Sequence, residues 1–545
     1  MLYKFILKYK NYLLMEKKMK QKIGRIVKII CFCLVAVLMV NALEGLFKPK
    51  WLENRWASSK TNKSFYELEK NSTEVLFFGA SVIAATADPY QLYENYGISS
   101  YNLGVMSQPM IGTFFWFKEA LDTQDIKVAV VEIKSAGKSS EKAEEKARKS
   151  YDYMRIGKNK LQYAIEYNSV QRDEDEVKPD LFSYLFPLSL YHSRWSEYLQ
   201  GRFINYDDYD FFLGNNKSYT RGFSVLSTQF KDMNTYIEED AQKGLYDGFE
   251  VESDKIESPN EVNAKYVRRI IELAKERNVK LLFVKSPDTG WKEKQHNYIQ
   301  KIADENDIPF IDMNLKSVRK ELDFNYKTDL ADAIHLNIKG AKKTSEFLGK
   351  YLTENYDLTD YREGNNSVKK SFEKYKKYYE ASIKEGELSF PTTLDEYLKE
   401  VQDKSNGNYE VILAAGSNVN NIKFTDEQKN TLINMGVSKK IFEDSEFGTN
   451  IVSVTNDGKT YNEVAKQSED STVSVSLGGT FSDGTDYLVK ADATGSTLKL
   501  NDNECTSLTS YGFNIIVYDK QLKRVVSTVY LYSNNGDETT LNRGE

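Results

Sequence analysis

Between residues 74 and 312 short apolar runs alternate with segments whose apolar residues recur at helical spacing, and this alternation restricts the fold more than any other feature. The runs cover 75–78, 99–105, 127–133, 279–284 and 308–312; helices are expected over 89–96, 111–121, 261–278 and 291–306. Strands that alternate with helices form βαβ units, so the expected fold class is α/β, a three-layer α/β/α domain around a parallel sheet. The first run, Val75 to Phe78, stops at Gly79, and Ser81 follows two positions later. Open α/β sheets place their ligands beyond the C-terminal ends of the strands, where such a turn lies. Read alone, Ser81 is either a helix cap or a nucleophile.

A second stretch decides between them. Asp329-Leu-Ala-Asp332-Ala-Ile-His335-Leu-Asn-Ile-Lys-Gly-Ala341 leads into a helix expected to run through Leu352, and His335 is one of only 3 histidines in the chain. An aspartate three residues before a histidine in a loop lets the carboxylate hold one imidazole nitrogen while the other faces the sheet edge, as a general base requires. A serine after the first strand and this loop after the last one make Ser81, His335 and Asp332 the candidate catalytic set. Cysteine and histidine spacing offers no zinc pattern, and neither a metal nor a cofactor is expected.

With these residues in view, the stretch from about 70 to 355 resembles the SGNH/GDSL hydrolase superfamily: Gly79-Ala-Ser81 matches the first block, Asn102-Leu-Gly104 the second and Asp332-Ala-Ile-His335-Leu-Asn the last. The resemblance implies that Ser81 attacks a carbonyl carbon, His335 takes its proton and Asp332 orients His335, with the amides of Ser81 and Gly104 facing the oxyanion. The third block departs from the pattern. It normally supplies an asparagine, and Val131-Glu132-Ile133-Lys134-Ser135 has none, so either Gln108 substitutes or the hole has two donors. This departure is similar to the branch that contains DltD and the alginate-acetylation proteins, which act on acyl groups of cell-wall polymers and secreted polysaccharides. The resemblance leaves hydrolysis and transfer to a sugar hydroxyl both open, since they share one acyl-enzyme. It also implies a membrane-embedded MBOAT-type acyltransferase as a partner.

An insertion over 138–260 separates the third and fourth runs and is rich in aromatics. Most of it reads as an amphipathic helical cap on its own core. Arg194, Trp195 and Arg221 are the substrate-binding candidates, because arginine and aromatic planes suit sugar rings and anionic polymers, while His192 reads as structural.

Ahead of this domain, residues 26–43 are almost wholly apolar, close to the roughly 20 needed to span a bilayer. Lys17, Lys18, Lys20, Lys22 and Arg25 precede the stretch and Lys28 lies near its start, which places the N-terminus in the cytoplasm and residues beyond about 48 outside. A cleaved signal peptide is the alternative, but Asn41-Ala42-Leu43 is a poor cleavage site, and an uncleaved anchor over 26–47 is the expectation. Met15 or Met19 is a candidate start. The net charge of −6 over 545 residues carries no nucleic-acid footprint. Cys31 and Cys33 lie in the apolar segment and Cys505 is alone, so no disulfide framework is available; the expected setting is the surface of a Gram-positive bacterium.

Residues 358–407 read as a charged helical linker, solvated rather than packed. Beyond it, strand-like runs at 409–415, 449–454, 472–477, 487–491, 512–519 and 524–532 surround one helix, opened by a Thr425-Asp-Glu-Gln428 capping box. Tyr409 to Leu413, Leu432-Ile-Asn-Met-Gly436 and Gly512-Phe-Asn-Ile-Ile-Val-Tyr-Asp519 resemble the interleukin-like EMT inducer (ILEI) domain, which implies a mostly-β sandwich that binds carbohydrate or protein. The whole is therefore expected to be a membrane-anchored SGNH-type acylesterase or O-acyltransferase for a cell-envelope or secreted polysaccharide. The rival is a non-catalytic glycan-binding scaffold.

Overall fold

The computed structural model describes residues 1–47, 58–137, 144–170, 180–196, 219–229, 248–257, 260–364, 366–404, 407–416, 422–444, 449–466, 473–501, 503–505, 513–532 and 540–543. Two compact units emerge: Met1–Asn54 with Met154–Tyr209, and Arg55–Tyr153 with Asp210–Glu545. The start of the connector and much of the insertion lie outside the described residues.

The chain opens with helix α1 (Leu2–Phe47), in which Met15–Glu44 is 30 residues long and apolar enough to cross a bilayer. After α2 (Ser58–Phe65) come β1 (Val75–Phe78), the single turn α3 (Ser81–Ala84), α4 (Pro89–Tyr96), β2 (Ser100–Asn102), α5 (Met110–Ala120) and β3 (Val128–Glu132). The crossover from β3 carries α6 (Glu144–Tyr151), then α7 (Lys158–Ser169), α8 (Leu181–Leu185) and α9 (Leu188–Tyr191), and these last three belong to the unit of α1. Next follow α10 (Glu261–Glu276), β4 (Lys280–Lys285), α11 (Glu293–Asn306), β5 (Phe310–Asp312), α12 (Lys316–Glu321), α13 (Tyr326–Asp329) and α14 (Ile338–Asn355).

The five strands form one parallel sheet in the order β2-β1-β3-β4-β5, with Phe77 between Asn102 and Val130. β1 and β3 are buried along their whole length, which is why both read as unbroken apolar runs rather than alternating ones. Because all strands run the same way, residues 79–81, 103–105 and 133–135 leave the sheet at one edge. Local chemistry sets the helix ends: in α4, Asp88 caps by accepting from the Tyr90 amide, Pro89 occupies the first turn, and Gly97 closes the helix at φ 72°.

The helices α15 (Ser367–Glu387) and α16 (Leu394–Lys404) depart from the solvated linker expected here. Val368, Phe372 and Tyr379 of α15 pack with Tyr90, Tyr93 and Phe223, and Leu394, Tyr397, Leu398 and Val401 of α16 enter the core of the C-terminal domain. The charged residues fill the outer face, so a composition dominated by lysine and glutamate conceals a narrow apolar stripe.

The C-terminal domain contains β6 (Tyr409–Ala415), α17 (Asp426–Asn434), α18 (Lys440–Asp444) and strands β7 (Thr449–Asn456), β8 (Lys459–Lys466), β9 (Val475–Thr480), β10 (Asp486–Asp492), β11 (Gly495–Leu500), β12 (Asn503–Cys505), β13 (Phe513–Asp519), β14 (Arg524–Tyr532) and β15 (Thr540–Arg543). They form two antiparallel sheets, β15-β14-β13-β6-β7-β8 and β12-β11-β10-β9. Along β6, Ile412 and Ala414 face the smaller sheet, while Val411, Leu413 and Ala415 face a core shared with Leu398, Val401 and Leu432 of the helices. The central strands are thus covered on both sides, a helix layer over a sandwich. The Thr425 and Gln428 capping box is present in full.

Candidate active site

Ser81 is the first residue of α3, at the edge where β1 ends, and is 9% exposed. Gly79 makes the turn: its φ is 150°, and a Cβ there would stand 2.9 Å from the Glu132 Cβ, so both backbone conformation and space demand glycine. Gln108 donates its amide Nε2 to the Gly79 carbonyl at 3.2 Å, and the Val105 amide donates to the same carbonyl at 3.2 Å. The turn is therefore held from below before any ligand arrives.

The loop between α13 and α14 closes on itself through a bridge between Leu330 and Leu336 and a bond from the Ala331 amide to the His335 carbonyl of 2.8 Å. Inside this loop Asp332 Oδ1 accepts from the amides of Ile334 and His335, each at 2.9 Å. The carboxylate then meets His335 Nδ1 through Oδ2 at 2.8 Å and Oδ1 at 3.0 Å. The other ring nitrogen, Nε2, lies 2.9 Å from Ser81 Oγ. Residues 254 positions apart in sequence thus form one continuous relay. Burial by itself would raise the Asp332 carboxyl, but the hydrogen bonds and charge of His335 and the two amides outweigh it and hold the group below the usual aspartate range. A carboxylate kept ionised keeps the proton on Nδ1 and leaves Nε2 free to accept the serine proton.

Asn337 fixes the loop from its far side. It caps α14 by accepting from the amides of Lys339 and Gly340, and its Nδ2 donates to the Thr328 carbonyl at 2.8 Å. Residues 219–229 of the insertion act as a strut: the Ser224 amide donates to the Ala84 carbonyl at 2.8 Å, the Ile338 amide to the Leu226 carbonyl at 2.9 Å, and Thr228 Oγ1 to the Ala331 carbonyl at 3.2 Å.

Asn102, Gly104 and Gln108, expected around the oxyanion, make hydrogen bonds within the protein. Asn102 is fully buried; its Nδ2 donates to the carbonyls of Ile83 at 2.7 Å and Ala87 at 3.0 Å, and its Oδ1 accepts from the Gly104 amide at 3.0 Å. Asn102 therefore ties β2 to the serine turn, and the Gly104 amide is engaged. Gln108 is engaged as well, through Gly79 and through Thr113 Oγ1 at 3.2 Å. The Ser81 amide opens α3, a position whose N–H has no acceptor within the helix.

Arg221 does not present its plane to a substrate groove. Only 5% exposed and at φ 53°, it donates Nε to the Ser100 carbonyl at 2.9 Å and Nη1 to Ser371 Oγ at 3.1 Å, with its guanidinium 4.2 Å over the Phe372 ring. Burial draws its pKa down to about 10, against the opposing pull of Tyr90 and Tyr101. It braces β2 against α15. Arg194 lies in the 3-10 turn His192–Arg194, with its side chain outside the described set; Trp195 follows it, 58% exposed, and both belong to the unit of α1.

A group of charges that the sequence does not single out fills the same sheet edge. Lys285 Nζ lies 3.4 Å from Glu132 Oε1 and 3.3 Å from Asp288 Oδ2, and Asp288 also pairs with Lys134. Although burial pushes Asp288 up, the two ammonium groups pull it down to about 2. Lys134 is lowered, by burial and then by its neighbour Lys285. Asp288 sits in the loop whose Thr289 amide donates to the Ala333 carbonyl at 3.1 Å, so this charge cluster is connected to the Asp332–His335 loop. The only sequence signal is the placement of Glu132 and Lys134 at the end of a buried apolar strand.

No family model matches this chain. No curated protein matches it either.

Proposed function

We propose that this protein is an SGNH-type serine acylesterase or O-acyltransferase, and the observation that carries the reading is the Ser81–His335–Asp332 relay at the C-terminal edge of a parallel sheet. Ser81 Oγ attacks the carbonyl carbon of an ester while its proton passes to His335 Nε2. Asp332, ionised and bonded to Nδ1, offsets the charge of the imidazolium that forms. Collapse of the tetrahedral adduct expels the alcohol, which leaves with the proton from Nε2, and the acyl group stays on Ser81. The same imidazole then draws a proton from water or from a sugar hydroxyl, the acyl group moves to that oxygen, and Ser81 Oγ leaves with the proton from Nε2.

The substrate class follows from the setting. α1 anchors the chain in the membrane, the basic flank stays inside, and the site lies outside the cell facing envelope or secreted polysaccharide, whose O-acetyl esters are the bonds within reach. The ILEI-like domain holds glycan or partner protein, and an MBOAT-type acyltransferase supplies acyl groups when the reaction runs as transfer. To test this, the full chain in membrane vesicles is given an O-acetylated glycan or an acyl donor, and free and polymer-bound acetate are measured. Release or transfer that Ser81→Ala abolishes supports the enzyme; equal turnover by both proteins overturns it.

One observation favours a second reading, a glycan-binding scaffold. The Gly104 amide and the Gln108 side chain, which could serve an oxyanion, are engaged within the protein. Under that reading Ser81→Ala leaves both turnover and cellular polymer acetylation unchanged.

A further inference from the structure

The described residues 156–170 and 180–195 have their chemistry inside out. In α7 the buried face holds Asn159, Lys160, Tyr163, Ala164 and Tyr167, while Leu161 and Ile165 point outward. In α8, Ser183 and Tyr184 face inward, and Leu181, Phe182, Leu185 and Phe186 face out; Phe182 is 56% exposed. Leu190 of α9 and Trp195 continue the outer surface. Folding in water sorts side chains the other way, with leucine, isoleucine and phenylalanine inside and the hydroxyl-bearing residues near the surface. Elsewhere the protein obeys that order: outside α1 and this segment, only Val251, Ile256 and Tyr461 among the described residues expose a large apolar side chain. A surface of this kind concentrated in one segment marks a place where the surroundings are not water.

The neighbouring element identifies the surroundings. α7 packs on α8, α8 on α9, and α9 with the following 3-10 turn packs on α1, the helix that is long and apolar enough to cross a bilayer. The outer apolar face thus adjoins a helix whose stretch over 26–43 exposes aliphatic side chains. We propose that α7, α8 and α9 lie on the lipid bilayer that α1 crosses, with Leu161, Ile165, Phe182, Leu185, Phe186 and Leu190 in the acyl-chain boundary. The inference rests on reading α1 as an anchor. Trp195 then has the interfacial place that tryptophan favours at membranes, rather than a sugar-stacking one. Helices of this type bind by an apolar face laid flat into the headgroup boundary, with polar groups turned to the protein or to water.

The test uses the full chain, with Cys31, Cys33 and Cys505 replaced by Ser, reconstituted in phosphatidylcholine–phosphatidylglycerol vesicles. An environment-sensitive NBD label is attached to a single cysteine at Phe182→Cys, Leu185→Cys, Leu34→Cys in α1, or Tyr461→Cys in the C-terminal domain. The labels at 182 and 185 are expected to be quenched by lipids that carry a spin label on the acyl chain at least threefold more than the label at 461, and to resist aqueous dithionite in proportion. If 182 and 185 behave like 461 while 34 is quenched, the proposal fails and the anchor stands. If 34 is not quenched either, the anchor reading itself fails. Strong protection from dithionite at 182 and 185 only in native membranes, with no lipid quenching, overturns the proposal in favour of a protein partner on the same face.

Discussion

Replacing Asp332 by Asn alters one atom of the side chain and reverses a tautomer. Asp332 Oδ1 accepts the amides of Ile334 and His335, so an Asn keeps its carbonyl oxygen at that position and turns its NH2 toward His335 Nδ1. Two donors cannot face each other, and Nδ1 must become the acceptor. The ring proton then moves to Nε2, 2.9 Å from Ser81 Oγ, where an acceptor is required for attack. The loop keeps its amide bonds and its fold, while the base is lost. Comparable tautomer reversals lower kcat about 10⁴-fold, which corresponds to about 5 kcal/mol of barrier. The assay is the second-order rate of labelling by a fluorophosphonate, followed beside hydrolysis of p-nitrophenyl acetate and the thermal melt. We expect Asp332→Asn to lose about four orders of magnitude in both rates with a melt close to wild type. A loss of less than tenfold would show that the carboxylate does not set the histidine tautomer and would refute the relay.

Three other outcomes follow from the same structure. Asp288→Asn removes the carboxylate between two buried ammonium groups and should cost about 3–5 kcal/mol in stability, with partial recovery in the Lys134→Met, Asp288→Asn double variant, read by urea unfolding. Asp88 is fully buried, and burial, against the donors Tyr379 and Tyr90, raises its pKa from 3.8 to about 6. The folded chain therefore binds this proton more tightly than the unfolded chain, and ionising Asp88 costs about 3 kcal/mol above pH 6, a cost that disappears below about pH 4. Wild type should lose stability as pH rises from 4 to 6, and Asp88→Asn should lack that part of the slope. Arg221→Ala should lower stability by about 3 kcal/mol, from the two lost hydrogen bonds and the Phe372 contact, with KM for a soluble ester unchanged; a raised KM with an unshifted melt would return Arg221 to substrate binding.

How far the fold was legible depended on where each residue's partners lie. The parallel strands announce themselves because burial on both faces requires unbroken apolar runs, and Gly79, Ser81, Asp332 and His335 are visible because their spacing meets a local geometric demand. β8, β11, β12 and β15 escape notice because strands such as Lys459–Lys466 carry polar residues on one face. The Glu132, Lys134, Lys285 and Asp288 cluster is invisible for a different reason: charges are buried only when they pair, and their pairing is a property of the sheet edge. Arg221 misleads because an arginine among aromatics describes a sugar platform and a buried brace equally well. In α15 the stripe of Val368, Phe372 and Tyr379 is masked by the lysines and glutamates around it. The aromatic insertion reads as a cap with its own core, and its outward leucines and phenylalanines show only once the inner face is seen to be built mainly of tyrosine with small and polar residues.

The central claim is that Ser81 is a nucleophile activated by His335. A fluorophosphonate carrying a fluorophore, applied to full-length protein in its membrane and followed by peptide mass mapping, measures this directly. Labelling on Ser81 is expected to be stoichiometric and time-dependent, absent in Ser81→Ala, and at least a thousandfold slower in His335→Ala. Equal labelling of wild type and Ser81→Ala, or unchanged labelling of Ser81 without His335, would contradict it.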